Sequence, residues 1–242
     1  MGPKLACPGC CPKSVQRSNA VAMSNFAPAR VNMVEGQIRP NHVTDPALIV
    51  ALESVPRELF VPKAVEGVAY VDEEISLGYG RSLLEPMVLA RLFQAAEIKP
   101  QDTVLDVGCA SGYSTAVLAR LAKAVVAVES QAELVALASK TLAEVRADAL
   151  VIEGVLTDGY PQRAPYNAIV INGAVAEVPQ TLLHQLAEGG RLVAVVLGDH
   201  PFVRLGQARL YRRIGDNFPS VPLFETTMAI LPGFEPKPRF VF

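Results

Sequence analysis

The segment that decides the fold is Asp106-Val107-Gly108-Cys109-Ala110-Ser111-Gly112. It follows a short apolar run, residues 103–107, that is typical of a buried β-strand, and it precedes a helix predicted near residues 112–122. Gly108 allows the backbone to turn tightly, and Gly112 allows the helix to pack close to the sheet. Free N–H groups and the positive end of that helix favour a carboxylate or a phosphate. The segment therefore predicts a ligand-binding loop between a strand and a helix.

The chain after residue 103 alternates between predicted strands and helices, which is typical of the α/β class. Near-continuous apolar strands separated by helices indicate a Rossmann-like, doubly wound, mostly parallel sheet with helices on both faces. The last two strand-like segments, Arg204 to Ile214 and Pro222 to Leu231, have no helix between them and predict an antiparallel C-terminal edge hairpin. The other predicted strands are residues 124–128, 149–152, 167–171 and 192–197, and the other predicted helices lie near residues 131–145 and 179–187.

The chain divides into three predicted parts. Residues 1–23 are expected to be a disordered leader, residues 24–100 a helical segment on the substrate side, and residues 101–242 the ligand-binding core with its hairpin. Residues 24–44 show no sustained periodicity. Helices are predicted to begin at Asp45-Pro46 and again at Pro86, because proline is favoured in the first turn of a helix.

Three of the four cysteines, Cys7, Cys10 and Cys11, crowd the predicted leader. A structural zinc site needs four ligands, and neither Cys109 nor the three histidines stand at a metal-site spacing. We therefore expect no metal site.

The composition excludes several classes of protein. Of the 242 residues, 50% are hydrophobic, and the 22 basic and 24 acidic residues give a net charge of −2. Such a balance lacks the basic excess that drives binding to nucleic acid. No apolar run is long enough to cross a membrane, and the N-terminus lacks the apolar segment of a signal peptide. We expect a cytoplasmic protein with no nucleic-acid or membrane partner.

The spacing of the glycines distinguishes two classes of cofactor. A dinucleotide site carries G-x-G-x-x-G, whereas this chain has D-x-G-x-x-x-G. Asp106 can hold the ammonium group of a methionine moiety, and Glu129 ends the next strand, where a carboxylate can accept both ribose hydroxyls. We infer S-adenosyl-L-methionine as the cofactor and methyl transfer as the reaction. The predicted cofactor-binding residues of this region are Asp106, Gly108, Cys109, Ser111, Gly112 and Glu129.

Several further strings carry a family resemblance. They are Met33 to Ile38, Val55-Pro56-Arg57-Glu58-Leu59-Phe60-Val61-Pro62, Val104 to Tyr113, Gly159-Tyr160-Pro161 and Ala187 to Val193. Together they resemble the protein-L-isoaspartate O-methyltransferase family, over about residues 31–198. The V-P-R-E-x-F-V-P string is the most specific of them. The resemblance implies a class I methyltransferase that uses S-adenosyl-L-methionine to repair damaged proteins, with an isoaspartyl carboxylate of a peptide or protein as its substrate.

The chain departs from the family pattern at three places. Ala110 stands where the family has the glycine at the loop centre. The family's Gly-Asp-Gly reads Gly154-Val155-Leu156 here, so Val155 and Leu156 can offer the adenine only backbone contacts. The family's Thr-Ile-Ser-x-Pro reads Ser82-Leu83-Leu84-Glu85-Pro86, which keeps the first hydroxyl and replaces the second with Leu84.

Methyl transfer to a carboxylate requires few catalytic groups. The acceptor is already ionised at neutral pH, so no general base is needed, and alignment alone can lower the barrier by about 7–11 kcal/mol. We predict that Ser82 acts in catalysis and that Arg81 offers its guanidinium to the substrate carboxylate. Asn172 ends the fourth predicted strand, where substrate is expected to lie. Cys109 is expected to contribute its backbone, since no His or Asn is placed to activate its thiol.

Alternatives stay open at this point. Arg81 is equally compatible with a solvated surface charge, and Asn172 with a turn at a strand end. The substrate is either an isoaspartyl residue or, given Leu84, another carboxylate or a small molecule. A third reading is a pseudoenzyme that binds the cofactor without transferring its methyl group. A nicotinamide oxidoreductase is the weakest alternative because the G-x-G-x-x-G spacing fails, and the sequence makes no prediction of oligomeric state.

Overall fold

The computed structural model describes Gly2, residues 25–198 and residues 205–236. The predicted leader, apart from Gly2, lies outside these residues, together with Cys7, Cys10 and Cys11. Among the described helices, none is both long and apolar enough to span a bilayer.

A seven-stranded sheet forms the centre of the fold, in the order β5-β4-β3-β6-β7-β8-β9. The strands from β5 to β7 in this order are parallel, and β8 and β9 are antiparallel to their neighbours. A separate two-stranded sheet pairs β1 with β2. The predicted α/β fold with an antiparallel edge hairpin is confirmed. The strands are β1 Ile75–Gly78, β2 Arg81–Leu83, β3 Thr103–Val107, β4 Ala124–Glu129, β5 Leu150–Glu153, β6 Tyr166–Val175, β7 Leu186–Leu197, β8 Leu205–Arg212 and β9 Ser220–Thr227.

Apolar side chains cover both faces of the parallel strands. Along β3, Val104 belongs to one buried cluster, whereas Leu105 and Val107 belong to the other on the opposite face. Because successive side chains of a strand point to opposite faces, a sheet buried on both sides needs such a continuous apolar run. The helices are α1 Ala27–Met33, α2 Pro46–Ser54, α3 Pro86–Ala96, α4 Tyr113–Leu118, α5 Ala132–Glu144 and α6 Gln180–Leu183. Short 3₁₀ turns lie at Arg39–Asn41, Arg57–Phe60, Lys63–Val68, Leu156–Asp158 and Pro161–Arg163.

The segment before α2 is more regular than the sequence indicated. Helix α1 continues directly into a π-helical turn, Val34–Ile38. The buried residues Met33, Val34 and Ile38 lie on one side, and the four-residue interval from Val34 to Ile38 is compatible with a helical spacing. Tertiary contacts hold the segment in place, since Arg30 pairs with Glu58 at 3.1 Å. The expectation that residues 24–44 have no sustained periodicity is therefore wrong for the helical part of this segment.

The helix predicted near 179–187 is wrong in its second half. Only Gln180–Leu183 is helical, and β7 begins at Leu186. Leu186 pairs with Tyr166 of β6, and the register then shifts so that Arg191 pairs with Ala168. The glycines at 189 and 190 thus lie in β7, between the two parts of its pairing with β6. Buried leucines at 182, 183 and 186 satisfy a helical spacing, but the backbone pairing with β6 decides the conformation.

The end of the chain returns to the sheet. The hairpin formed by β8 and β9 stands at the sheet edge, as predicted, but β9 ends at Thr227 rather than near Leu231. The backbone then crosses β6, where Ala174 N–H donates to Ala229 O at 2.9 Å and Leu231 N–H donates to Ala174 O at 2.8 Å. Leu231 is buried beside the carboxyl ends of the central strands.

Candidate functional site

The site is built where the carboxyl ends of β3, β4 and β6 meet. Strand β3 lies between β4 and β6, so the chain order reverses at β3, and open α/β sheets bind ligands at this kind of position. The glycine loop leaves β3 here, and Gly108 N–H donates to Val128 O of β4 at 2.8 Å. The loop turns through three residues with positive φ, which are Gly108 at 74°, Ala110 at 50° and Gly112 at 94°.

Asp106 is the penultimate residue of β3, and its carboxylate is fully buried. Thr115 Oγ1 donates to its Oδ2 at 2.6 Å, Ser114 Oγ donates to the same atom at 2.8 Å, and the Asn172 amide donates to Oδ1. Burial raises the pKa of Asp106, and these three donors oppose that rise because they stabilise the charged form. Asn172 therefore lies beside the glycine loop, where it holds Asp106, and its own Oδ1 is buried without a hydrogen-bond partner among the described residues.

Glu129 ends β4 and is also fully buried. Its Oε2 accepts the Ala110 N–H at 2.8 Å, and its Oε1 accepts the Ser130 N–H at 2.8 Å. The strongest partner of Glu129 is Arg81, whose Nη2 lies 2.9 Å from Oε2. Arg81 comes from the small β1–β2 sheet and is 3% exposed, so the structure contradicts the alternative that it is a solvated surface charge. Its guanidinium is engaged by Glu129 and is not directed at open solvent.

The space above Gly108 is filled by side chains. A Cβ added at this glycine would lie 2.6 Å from Arg81 Nη2 and 2.9 Å from Leu231 Cδ1. The Gly108 carbonyl also accepts a hydrogen bond from Arg81 Nη2 at 2.5 Å. In this conformation the inner end of the site is therefore closed.

The outer end of the site is open. A cleft of about 730 Å³ adjoins Gly154 after β5 and continues along Ser130, Thr157 and Pro232. Val155 is 61% exposed and Leu156 is buried, so of the two side chains only that of Val155 extends into solvent. The cleft is reached from the end of β4 through Ser130, which follows Glu129 directly.

A second, much smaller cavity lies on the other side of Arg81. Ser82, Leu84, Asn172 and Glu74 line it together with Arg81. Ser82 is half-buried, and Leu84 is buried at 4% exposure in the position where a hydroxyl was expected from the family pattern. The structure thus brings Arg81, Ser82 and Asn172 to one cavity, as their candidate roles require.

Comparison with known proteins identifies the family. The sequence profile described as Protein-L-isoaspartate(D-aspartate) O-methyltransferase matches residues 29–209. The chain belongs to the protein-L-isoaspartate O-methyltransferase family. A protein of that name from Methanoculleus marisnigri is 43% identical over 168 residues, which cover 69% of this chain and 76% of that protein. The Rhodopseudomonas palustris protein-L-isoaspartate O-methyltransferase 1 is 35% identical over 226 residues, covering 89% and 90% of the two chains.

Solved structures of the same name share the fold. One protein-L-isoaspartate O-methyltransferase superposes with a TM-score of 0.75 at 23% identity, covering 84% of this chain and 66% of that chain. A Plasmodium falciparum protein provisionally given this name was crystallised with S-adenosyl-L-homocysteine, and it superposes with a TM-score of 0.68 at 19% identity, covering 86% of this chain and 98% of that chain.

S-adenosyl-L-methionine is the methyl donor of this family, and the polar groups at the site of this chain fit that cofactor. Glu129 supplies a buried carboxylate at a strand end, and the cleft beside Gly154 continues from it. Ser111 Oγ and Asn172 Oδ1 are buried polar atoms near the loop that lack a hydrogen-bond partner among the described residues, and buried polar groups normally have one. The chemistry of these groups suits a ligand with hydroxyl and ammonium donors.

Cys109 does not have the properties of a nucleophile. It is buried at 3% exposure, and burial raises the pKa of its thiol well above the ordinary value. The thiol is therefore protonated at neutral pH, whereas nucleophilic cysteines react as thiolates.

The most specific family string contains a residue that the sequence did not single out. Arg57 is fully buried, and its guanidinium donates to Ala69 O and to Leu84 O, each at 2.6 Å. It also lies over the ring of Tyr113, 4.8 Å from the ring centroid, where the helix after the glycine loop begins. Arg57 thus ties the acceptor-side segment to the cofactor loop, and only the unusual occurrence of an arginine within an apolar string hinted at this.

Proposed function

We propose that the chain transfers the methyl group of S-adenosyl-L-methionine to the carboxylate of L-isoaspartyl residues in damaged proteins. The observation that carries this proposal is the family match over residues 29–209, which spans every strand of the parallel sheet and the whole glycine loop. The 43% identity to a relative of this name supports the same activity. A cytoplasmic location stays a prediction, which fractionation of cell extracts tests.

The cofactor site follows from the strand ends. Glu129 is proposed to accept the ribose hydroxyls, and the backbone at Val155 and Leu156 to contact the adenine in the open cleft. The backbone of the loop residues Cys109 and Ser111 and the carboxylate of Asp106 are proposed to hold the methionine end. When bound, the cofactor supplies an electrophilic methyl group on a sulfonium.

The acceptor side requires positioning rather than proton transfer. An isoaspartyl carboxylate is ionised at neutral pH, so the chain needs only to orient it and to exclude water. Ser82 and Asn172, which line one cavity, are the proposed hydrogen-bonding groups, and Arg81 is the proposed cationic partner. Leu84 excludes water from this cavity but cannot donate a hydrogen bond.

A different acceptor is the second candidate, and the acidic residues around Glu85, which follows the cavity-lining Leu84, favour it. Burial raises the pKa of Glu85, which follows Leu84, and the neighbouring Asp72, Glu74 and Glu73 raise it further. Such a concentration of carboxylates disfavours an anionic substrate. A smaller or neutral acceptor avoids this repulsion.

Methyl transfer to matched peptides separates the two candidates. The protein is incubated with methyl-labelled S-adenosyl-L-methionine and either an isoaspartyl peptide or the same peptide with a normal aspartyl linkage. Label in the isoaspartyl peptide alone is the expected result, and it should be lost in Glu129→Gln but retained in Glu144→Gln, an exposed control on α5. Cofactor binding without label in either peptide contradicts the isoaspartyl proposal and favours another acceptor.

A further inference from the structure

One buried ion pair stands where the proposed cofactor has to bind. Arg81 and Glu129 have side-chain exposures of 2% and 0%. Arg81 Nε lies 3.2 Å from Oε2 and 3.3 Å from Oε1, and Nη2 lies 2.9 Å from Oε2, so both carboxylate oxygens face this guanidinium. A carboxylate held in this way has few lone pairs left for two ribose hydroxyls.

The same guanidinium also occupies the volume above the glycine loop. Arg81 Nη2 donates to Gly108 O at 2.5 Å, and Leu231 Cδ1 lies beside the guanidinium, 2.9 Å from the position of a Cβ at Gly108. A glycine at this position permits close approach of a ligand to the backbone, yet here the approaching group belongs to the chain itself. Ligand and Arg81 therefore need the same acceptor and the same space.

Arg81 belongs to an element that shares no strand with the seven-stranded sheet. The β1–β2 sheet has only two strands, and two-stranded sheets are at most marginally stable on their own. Gly78 and Gly80 flank its turn with φ of 84° and 67°, and Tyr79 between them is 54% exposed. Displacement of the Arg81 side chain from Glu129 therefore requires no change in the strand pairing of the seven-stranded sheet.

We propose that Arg81 is an affinity-determining residue that competes with the cofactor for Glu129, so that S-adenosyl-L-methionine binds only by displacing the guanidinium from Glu129 and Gly108. The open cleft beside Gly154 offers the first contact, and the ribose then replaces Arg81. This proposal rests on the proposed cofactor but not on the proposed acceptor. It makes the chain bind its cofactor more weakly than the same site without the arginine.

Calorimetric titration with S-adenosyl-L-homocysteine tests the competition without methyl transfer. Arg81→Met keeps the length and apolar stem of the side chain but removes the guanidinium. Its Kd for S-adenosyl-L-homocysteine should be lower than that of wild type by roughly tenfold to a hundredfold, the range that charge-assisted hydrogen bonds contribute. Arg81→Gln provides a second neutral variant in case Arg81→Met does not fold, which circular dichroism establishes.

A matched control removes an equivalent ion pair elsewhere. Arg191 of β7 and Asp102, which precedes β3, form a buried pair with side-chain exposures of 8% and 5%. This pair lies at the opposite end of β3 from the glycine loop. Arg191→Met should leave the Kd for S-adenosyl-L-homocysteine unchanged. An unchanged or higher Kd in the Arg81 variants, or no binding to any of the proteins, overturns the proposal. Failure of the isoaspartyl assay alone leaves the titration result intact.

Discussion

Substitution of Arg57 tests whether a buried guanidinium in the V-P-R-E-x-F-V-P string stabilises the protein. None of the ion pairs between described residues includes Arg57, although its guanidinium is fully buried. Burial lowers the pKa of this arginine. Its charge is therefore offset mainly by the carbonyls of Ala69 and Leu84 and by the ring of Tyr113. Arg57→Met keeps an apolar stem of similar length and removes all three interactions.

The expected loss follows from the two carbonyls. Among the described residues, Arg57 is the only side chain that donates to either carbonyl. An unsatisfied buried polar group costs about 1–3 kcal/mol. Removal of a poorly compensated cation offsets part of this cost, so we expect a net decrease of about 3 kcal/mol in the free energy of unfolding. For a chain of this size 1 kcal/mol corresponds to about 2–4 °C, so the melting temperature should fall by roughly 6–12 °C.

Thermal and urea unfolding monitored by circular dichroism measure this loss. Arg120→Met is the matched control, because Arg120 Nη2 also donates to a backbone carbonyl, that of Val145 at 2.9 Å, but in an exposed setting. Water replaces the lost donor there, so a change below about 0.5 kcal/mol is expected. If both variants lose the same amount of stability, or if Arg57→Met loses none, burial of the guanidinium is not what makes this string important.

Three further predictions concern the strand ends and the loop. Burial raises the pKa of Asp106, so the stability that its protonated form contributes is fully present below the unfolded-state pKa near 4 and is lost as the pH rises through the folded-state pKa. The Asp106→Asn variant has no ionisable group at this position. The difference between its free energy of unfolding and that of wild type should therefore increase from pH 4 to pH 7, as measured by urea unfolding. A difference that does not change with pH contradicts the burial argument. Arg191→Met leaves the buried Asp102 unpaired and should lower the free energy of unfolding by about 3–5 kcal/mol in the same titrations, whereas a loss near zero indicates that water replaces the partner. Gly112→Ala places a Cβ 3.2 Å from Ala138 Cβ at a φ of 94°, which should cost about 1–2 kcal/mol, and an unchanged melting temperature refutes the need for glycine there.

The sequence predicted the central sheet well because its strands are buried on both faces. Burial on both sides demands continuous apolar runs, and these are visible without tertiary information. The turn at the glycine loop was also predicted, since Gly108 and Gly112 both have positive φ. Gly112, however, lies close to Ala138 of α5 and not to the sheet as the sequence predicted. The ends of helices and strands were predicted less accurately. Helix α6 ends early because the pairing between β6 and β7 competes with the local preference for a helix.

The acceptor side was harder to predict for a different reason. Its residues come from segments far apart in the chain, and their partners cannot be read from spacing. From the sequence, Arg81 is equally plausible as a surface charge or as a substrate ligand. Its partner Glu129 lies 48 residues away in the chain, and only the folded structure shows that the two form a buried ion pair. Leu231 was predicted to end the C-terminal strand, yet it lies beyond β9 and packs on Gly108.

The sequence alone determined the class of fold, the position of the loop and the type of cofactor, because each depends on local features: strand hydrophobicity, glycine conformation and an acid at a strand end. The tertiary structure alone decided what surrounds those features. It placed Arg57 between the acceptor segment and Tyr113, and it placed Arg81 on Glu129. Such contacts join residues through packing and electrostatics in three dimensions, and no periodic pattern along the chain encodes them.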